Sequence, residues 1–133
     1  MKLMIVDDSE VISRRLKELL QDIEGLEIEA LVEDGVQAMI MFSKINPDIV
    51  ILDLMIPRMN GLDVLRSIRS KGNKAIVIIL TNYDQSYFRD RCAELGANYF
   101  LDKSADFEKV YQICHNVVHP DKNNETDYLQ LSN

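Results

Sequence analysis

Three short segments of the chain consist of consecutive apolar residues rich in β-branched side chains, at residues 3–6, 49–52 and 75–80. Segments of this length and composition are typical of parallel strands that helices cover on both faces. Residues 27–32, in which apolar and polar positions largely alternate, and the brief segment 99–101 are typical of half-exposed strands at the edges of a sheet. The pattern therefore predicts three central strands and two edge strands.

Apolar residues recur at helical spacing between and after these strands. The helical patterns fall within residues 12–23, 38–45, 64–68, 88–95 and 107–117. Ser9 is placed to cap the first helix, Gly25 and Gly96 follow the last apolar positions of the first and fourth, and Pro47 keeps the second from continuing into the third strand. Strictly alternating strands and helices with right-handed crossovers predict an α/β fold, a doubly wound five-stranded parallel sheet in the order 2-1-3-4-5 with five helices.

Length and charge narrow the class of protein further. A chain of 133 residues fits one domain, and its net charge of −7 disfavours attraction to phosphate backbones, so we expect no direct contact with nucleic acid. No apolar run approaches the roughly 18 residues of a membrane span. The N-terminal MKLMIVDDS turns acidic too early for a secretory signal. Cys92 and Cys114 lack C-x-x-C spacing, which favours buried, reduced thiols in a cytoplasmic protein.

The ends of the predicted strands carry the candidate chemistry. Strand one is followed by Asp7 and Asp8, strand three by Asp53, and strand five by Lys103, while strand four ends at Thr81. Because the carboxyl ends of parallel strands meet at one edge, we expect these side chains to lie together where the winding reverses, between strands one and three. Three carboxylates repel one another unless a cation lies among them, and hard oxygen ligands suit Mg²⁺.

Asp53, the deepest carboxylate in this crevice, is a candidate metal ligand and also a nucleophile able to form an aspartyl phosphate. Lys103 and the Thr81 hydroxyl would supply the charge and the hydrogen bond that phosphoryl oxygens need. Taken singly, each residue has an ordinary explanation: a helix cap for Asp7 and Asp8, a turn, a strand end or a solvated side chain for the others. Their occurrence together at one edge of the sheet favours a phosphoryl-transfer site.

Four stretches of the chain, with the spacing between them, resemble the receiver domain of two-component response regulators. They are IVDDSE, DIVILDLMIPRMNGLDVL, IVIILT and GANYFLDKS. The resemblance implies a flavodoxin-like receiver domain over residues 1–118, similar to the single-domain chemotaxis regulators. We expect the polar tail, residues 119–133, to be ordered only in part.

The resemblance also implies a role for each matching residue. Asp53 would be the phosphoacceptor, and Mg²⁺ would be held by Asp7, Asp8, Asp53 and the backbone carbonyl of Met55. Thr81 would be the switch hydroxyl, Lys103 the phosphate-contacting lysine and Phe100 the switch aromatic, while Pro57 and Gly61 would shape the loop after the acceptor.

Three residues depart from the family pattern. Ser104 follows Lys103 where most relatives have a proline whose cis peptide bond shapes the approach of the lysine, so that geometry does not transfer directly. Asn82 is larger than the usual alanine or glycine and would obstruct the phosphoryl group and slow its transfer. Phe100 lacks the hydroxyl of the tyrosine often found there, so switching must rely on ring packing alone.

The family implies signalling by protein contact. The phosphoryl donor would be a sensor histidine kinase or a histidine phosphotransfer protein, and phosphorylated Asp53 would draw the Thr81 hydroxyl toward it. We expect the Phe100 ring then to rotate from an exposed to a buried position. This rotation would change a protein-binding face made of helix four, strand five and helix five. Candidate contacts on that face are Tyr87, Arg91 and Tyr99.

Three other functions are open at this point. A receiver fragment of a longer DNA-binding regulator would have the same features over these residues. A haloacid-dehalogenase-like phosphatase needs a second aspartate two positions after the first, where this chain has Met55. A binding module with a vestigial site is disfavoured by the complete set of candidate residues. We expect a signalling phosphoacceptor rather than an enzyme. Hydrolysis of its acyl phosphate should be slow, because Met55 and Tyr83 would flank the attacking water.

Overall fold

A computed structural model of the chain describes residues 1–83 and 85–120, in which strands and helices alternate. The strands are β1 (Lys2–Val6), β2 (Glu27–Val32), β3 (Ile49–Leu52), β4 (Ile76–Thr81) and β5 (Tyr99–Asp102). The helices are α1 (Glu10–Leu20), α2 (Gly35–Ile45), α3 (Gly61–Ser70), α4 (Ser86–Glu94) and α5 (Lys109–Val118). None of these helices is both long and apolar enough to cross a membrane. Residues 121–133 of the predicted tail lie outside the described residues.

All neighbouring strands are parallel and pair in the order β2-β1-β3-β4-β5, which confirms the predicted fold. The winding reverses at β1, which pairs with β2 on one side and β3 on the other. In the register of the sheet, Val6 pairs with Leu52, and Thr81 pairs with Asp102. The strand ends are therefore level, and a crevice opens beyond the carboxyl ends of β1 and β3.

Helices cover both faces of the sheet, which explains why the central strands are continuously apolar. Along β1, Met4 and Val6 belong to a core cluster that includes residues of α2, α3 and α4. Leu3 and Ile5 belong to a second cluster that includes residues of α1 and α5. All four side chains are fully buried. Alternate residues of a strand point to opposite faces, so a strand between two helical layers needs apolar residues throughout.

Some helix ends follow the local signals in the sequence, and others do not. The Ser9 hydroxyl accepts a hydrogen bond from Ile12 N–H at 3.3 Å, which confirms the predicted cap. Gly96 ends α4 at φ +96°, a conformation that favours glycine. However, α1 ends at Leu20 and α5 begins at Lys109, so the apolar residues Ile23 and Phe107 lie outside the helices that we predicted for them. Both residues are buried in turns, so their apolar character reflects burial in the core and does not indicate a helix.

Cys92 and Cys114 are buried free thiols, as predicted. Burial in the apolar core raises the pKa of each thiol to about 12. Because only the thiolate is a strong nucleophile, both side chains act as core residues at neutral pH.

Candidate acidic site

Hydrogen bonding of the sheet continues one residue beyond the strands that carry the candidate residues. Asp7 N–H donates to a carbonyl of β2 at 3.0 Å, and Asp53 N–H donates to a carbonyl of β1 at 3.0 Å. Lys103 N–H donates to a carbonyl of β4 at 2.9 Å. The backbone of each residue is therefore held by the neighbouring strand, and all three side chains start from the same edge of the sheet.

Three carboxylates meet in the crevice between β1 and β3. Oxygens of Asp7, Asp8 and Asp53 all lie within 4.8 Å of one another. Asp7 is 3% exposed and Asp53 is 6% exposed, whereas Asp8 is open to solvent. The cluster thus has two buried members and one at its mouth. Like charges at this separation repel one another strongly unless a cation compensates them.

Lys103, which directly follows the edge strand β5, extends its side chain into this cluster. Its ammonium nitrogen lies 2.7 Å from Asp7 Oδ2 and 2.9 Å from Asp53 Oδ2. The lysine approaches both carboxylates although it is followed by Ser104. Burial by itself would lower the pKa of Lys103, but its hydrogen bonds to the two aspartates outweigh burial and raise the pKa above its ordinary value. One ammonium therefore pairs with two of the three carboxylates.

The remaining oxygens of the two buried carboxylates accept hydrogen bonds from their own loops. Asp7 Oδ1 accepts from Ser9 N–H at 2.8 Å, and Asp53 Oδ1 accepts more weakly from Met55 N–H at 3.4 Å. Despite these contacts and Lys103, burial raises the pKa of Asp7 above its ordinary value. The ionised form of Asp7 is thus under-compensated, which is the property expected of a carboxylate in a cation-binding cluster.

Two glycines let the loop after Asp53 pack closely. A Cβ on Gly61, the first residue of α3, would overlap the backbone carbonyl of Asp53. A Cβ on Gly35, the first residue of α2, would overlap the carbonyl of Met59 in the same loop. These contacts are between backbones, so a side chain at either position would displace the segment that carries Asp53. We predicted a role for Gly61 but missed Gly35, whose place after the capping residue Asp34 was the available signal.

Thr81 lies at the same edge of the sheet and is fully buried. Its hydroxyl oxygen accepts a hydrogen bond from Tyr83 N–H at 3.2 Å. The hydroxyl is therefore tied to the segment that leads from β4 into α4. Tyr83 and Met55, which we expect to flank the site, are 39% and 48% exposed.

The expectation of an exposed Phe100 ring is wrong. The ring is 4% exposed and belongs to the core cluster on the α4 side of the sheet, which includes its strand partner Ile79 and Cys92 of α4. The guanidinium carbon of Arg89 lies 4.7 Å from the centroid of the ring. Phe100 is therefore a packed core residue, so the rotation from an exposed to a buried position that we expected for switching does not apply to this structure. The sequence contained no signal for the contact with Arg89, because the two residues come from different elements.

Comparison with known proteins agrees with the fold. Residues 3–115 match the family model described as the response regulator receiver domain. Response regulator MprA of Mycobacterium avium is 34% identical over 110 residues, which cover 83% of this chain and 47% of that protein. The chain thus spans about half the length of the curated relatives it matches.

Solved structures of other proteins share the fold of this chain. A chain of the CheX-CheY-BeF3-Mg+2 complex from Borrelia burgdorferi is 31% identical, with a TM-score of 0.79 and coverage of 88% of both chains. A DNA-binding response regulator of the LuxR family from Staphylococcus aureus is 27% identical, with a TM-score of 0.81 and coverage of 89% of this chain and 98% of that chain.

A doubly wound parallel sheet with an acidic cluster and a lysine at its carboxyl edge defines a class of α/β domains with a site at the reversal of winding. Within that class, the chain belongs to the response regulator receiver domain family.

Proposed function

We propose that this receiver domain accepts a phosphoryl group on Asp53 from a phosphohistidine of a sensor kinase or a histidine phosphotransfer protein. The observation that carries the proposal is the cluster of Asp7, Asp8 and Asp53 opposite Lys103. An oxygen of Asp53 attacks the phosphorus and forms an acyl phosphate, while the P–N bond to the donor histidine breaks. The bonding electrons stay on the imidazole nitrogen, which takes up a proton.

Residues around Asp53 would orient and stabilise the transferred group. Lys103 is 2.9 Å from Asp53 Oδ2, so its ammonium is positioned to neutralise charge on the phosphoryl oxygens. The Thr81 hydroxyl would donate to one of those oxygens. Exposed Met55 and Tyr83 would limit the approach of water, and we therefore propose slow hydrolysis of the acyl phosphate.

The donor set fits Mg²⁺. Carboxylate oxygens are hard ligands, Asp8 is exposed at the mouth of the cluster, and one lysine leaves the negative charge uncompensated. We propose that Asp7, Asp8, Asp53 and the carbonyl of Met55 hold the ion, where it would neutralise charge on the phosphoryl oxygens. The Borrelia complex contains Mg²⁺, as its name states, which supports this choice of metal.

Mg²⁺ affinity is expected to fall on the order of tenfold in Asp8→Ala and in Asp53→Ala, because each change removes a charged ligand. Affinity should also fall in acid, because carboxylates must be deprotonated to bind the metal. Since burial raises the pKa of Asp7, this loss should begin above the pH at which an ordinary aspartate protonates. Titration with Mg²⁺, followed by amide shifts in NMR spectra, measures the affinity.

Asp63→Ala is the control for this titration, because Asp63 is a half-exposed carboxylate of α3 that pairs with Arg66 at 2.8 Å. It should bind Mg²⁺ as the parent does. Equal affinity in Asp8→Ala and the parent would contradict the proposed metal site.

We propose that the signal leaves through the face formed by α4, β5 and α5, where an unidentified downstream protein binds. Thr81 accepts from Tyr83 N–H, so movement of its hydroxyl toward a phosphoryl group would break that bond and free the segment before α4. Thr81 and Phe100 belong to neighbouring paired strands, and Phe100 packs beneath α4. A change at Thr81 can therefore reach this face without requiring an exposed Phe100 ring.

Thr81→Ala is expected to retain phosphorylation but to reduce severalfold the amide shift changes that a small-molecule phosphodonor causes in α4 and β5, because the donating hydroxyl is lost. Thr81→Ser keeps the hydroxyl and is the matched control, with changes close to those of the parent. If Thr81→Ala responds as fully as Thr81→Ser, the coupling does not pass through this hydroxyl.

The relatives named MprA are about twice as long as this chain, and the Staphylococcus aureus relative is a DNA-binding regulator, which supports a role as the receiver part of such a protein. The net charge of −7 favours protein partners and no direct contact of these residues with nucleic acid. We further propose a cytoplasmic location and a signalling role without turnover of other substrates.

A further inference from the structure

We propose that Arg89 is a positioning residue of the α4-β5-α5 face and that its guanidinium holds the Phe100 ring in its buried place. Arg89 lies in the first turn of α4, and its guanidinium carbon is 4.7 Å from the ring centroid on β5. This distance is within the range of about 6 Å over which a cation is attracted to the face of an aromatic ring.

The positive charge of Arg89 also acts on Asp106, in the segment that leads into α5. Asp106 accepts hydrogen bonds from Asp102 N–H at 3.0 Å and from the Lys109 ammonium at 3.0 Å. Burial tends to raise the pKa of Asp106, but these bonds and the positive charges of Lys109 and Arg89 together lower it. Arg89 therefore joins α4 to β5 through the Phe100 ring, and its positive charge also acts on Asp106 in the segment between β5 and α5.

The contact with Arg89 adds to the packing that keeps the Phe100 ring buried. A phenyl ring has no hydroxyl that could form a hydrogen bond with water, so only packing and the cation decide between its buried and exposed positions. Arg89 itself is exposed, and cation–ring contacts at exposed sites correspond to a population change of roughly two- to fivefold. Arg89 favours the buried ring by this factor. The meaning of that bias for partner binding rests on the proposed function.

The experiment uses protein labelled with fluorophenylalanine and ¹⁹F NMR without phosphodonor. The chain has four phenylalanines, and Phe100→Leu identifies the resonance of interest. A neutral soluble gadolinium complex broadens resonances of exposed rings. Arg89→Gln is expected to increase the relaxation of the Phe100 resonance roughly two- to fivefold, in proportion to the exposed population. Arg89→Lys retains a cation and should restore at least half of the protection.

Arg66→Gln is the control, because it removes an arginine of α3 whose guanidinium pairs with Asp63 at 2.8 Å. It should leave the Phe100 resonance unchanged. An unchanged resonance in Arg89→Gln, an equal effect in Arg66→Gln, or no protection in Arg89→Lys would each overturn the proposal. Because no phosphodonor is present, these outcomes do not depend on whether Asp53 is the phosphoacceptor.

Discussion

Asp53→Asn is expected to abolish phosphorylation of the domain while leaving its fold intact. The amide of asparagine is not a nucleophile toward phosphorus, but it has nearly the volume of the carboxylate. Lys103 keeps its ion pair with Asp7 at 2.7 Å, so the buried ammonium is not left uncompensated. Incubation with a small-molecule phosphodonor and Mg²⁺, followed by intact mass measurement, should show no gain of a phosphoryl group in the variant.

The half-exposed Asp63 provides the matched control, since Asp63→Asn makes the same chemical change on α3. This variant should be phosphorylated as fully as the parent, and circular dichroism should show both variants folded. A phosphoryl group on folded Asp53→Asn, or on another residue of the parent in peptide mass spectra, would contradict the assignment of Asp53.

Lys103→Met is expected to destabilise the domain by about 3–5 kcal/mol, the cost of leaving a buried charge without its partner. Methionine retains most of the volume and apolar stem of lysine but no charge. Asp7 and Asp53, 3% and 6% exposed, would then face each other without the ammonium. Urea denaturation measures the free energy of unfolding, and Mg²⁺ should restore part of the loss by replacing the missing cation.

Lys109→Met is the control for this measurement. Lys109 also pairs with a carboxylate, Asp106 at 3.0 Å, but its side chain is 58% exposed. Exposed ion pairs contribute about 0–1 kcal/mol, so this variant should remain close to the parent. If Lys103→Met is as stable as Lys109→Met, Lys103 does not neutralise the cluster.

The deficit of Lys103→Met should narrow as the pH is lowered. Burial already raises the pKa of Asp7 in the folded parent above its value in the unfolded chain. Protonation of Asp7 therefore favours the folded state; this contribution to stability is complete below the unfolded pKa and is lost as the pH rises through the folded pKa. Removing the ammonium raises the folded pKa further, because Lys103 stabilises the ionised form. Protonation therefore relieves the variant more than the parent, and urea denaturation at about pH 7 and about pH 5 should detect the difference.

The amino-acid sequence by itself determined the sheet order and the edge at which the candidate residues gather. This was possible because the spacing of apolar residues and the direction of each strand can be inferred from short segments of the sequence. An apolar run that ends at Asp7 or at Asp53 places the carboxylate at the end of a buried strand, and parallel pairing brings such ends together. The predicted helix bounds were wrong where apolar residues at helical spacing are buried outside a helix. Ile23 and Phe107 are such residues, because both are buried in turns.

Only the tertiary structure decided the contacts between elements that are distant in sequence. It set the bridge of Lys103 between two carboxylates, the burial of Phe100 and the position of Arg89 above that ring. It also showed that Gly35 must lack a side chain because the backbone of another loop passes against it. Each of these depends on how side chains or backbones from separate elements pack in three dimensions, and local pattern carries no information on such packing.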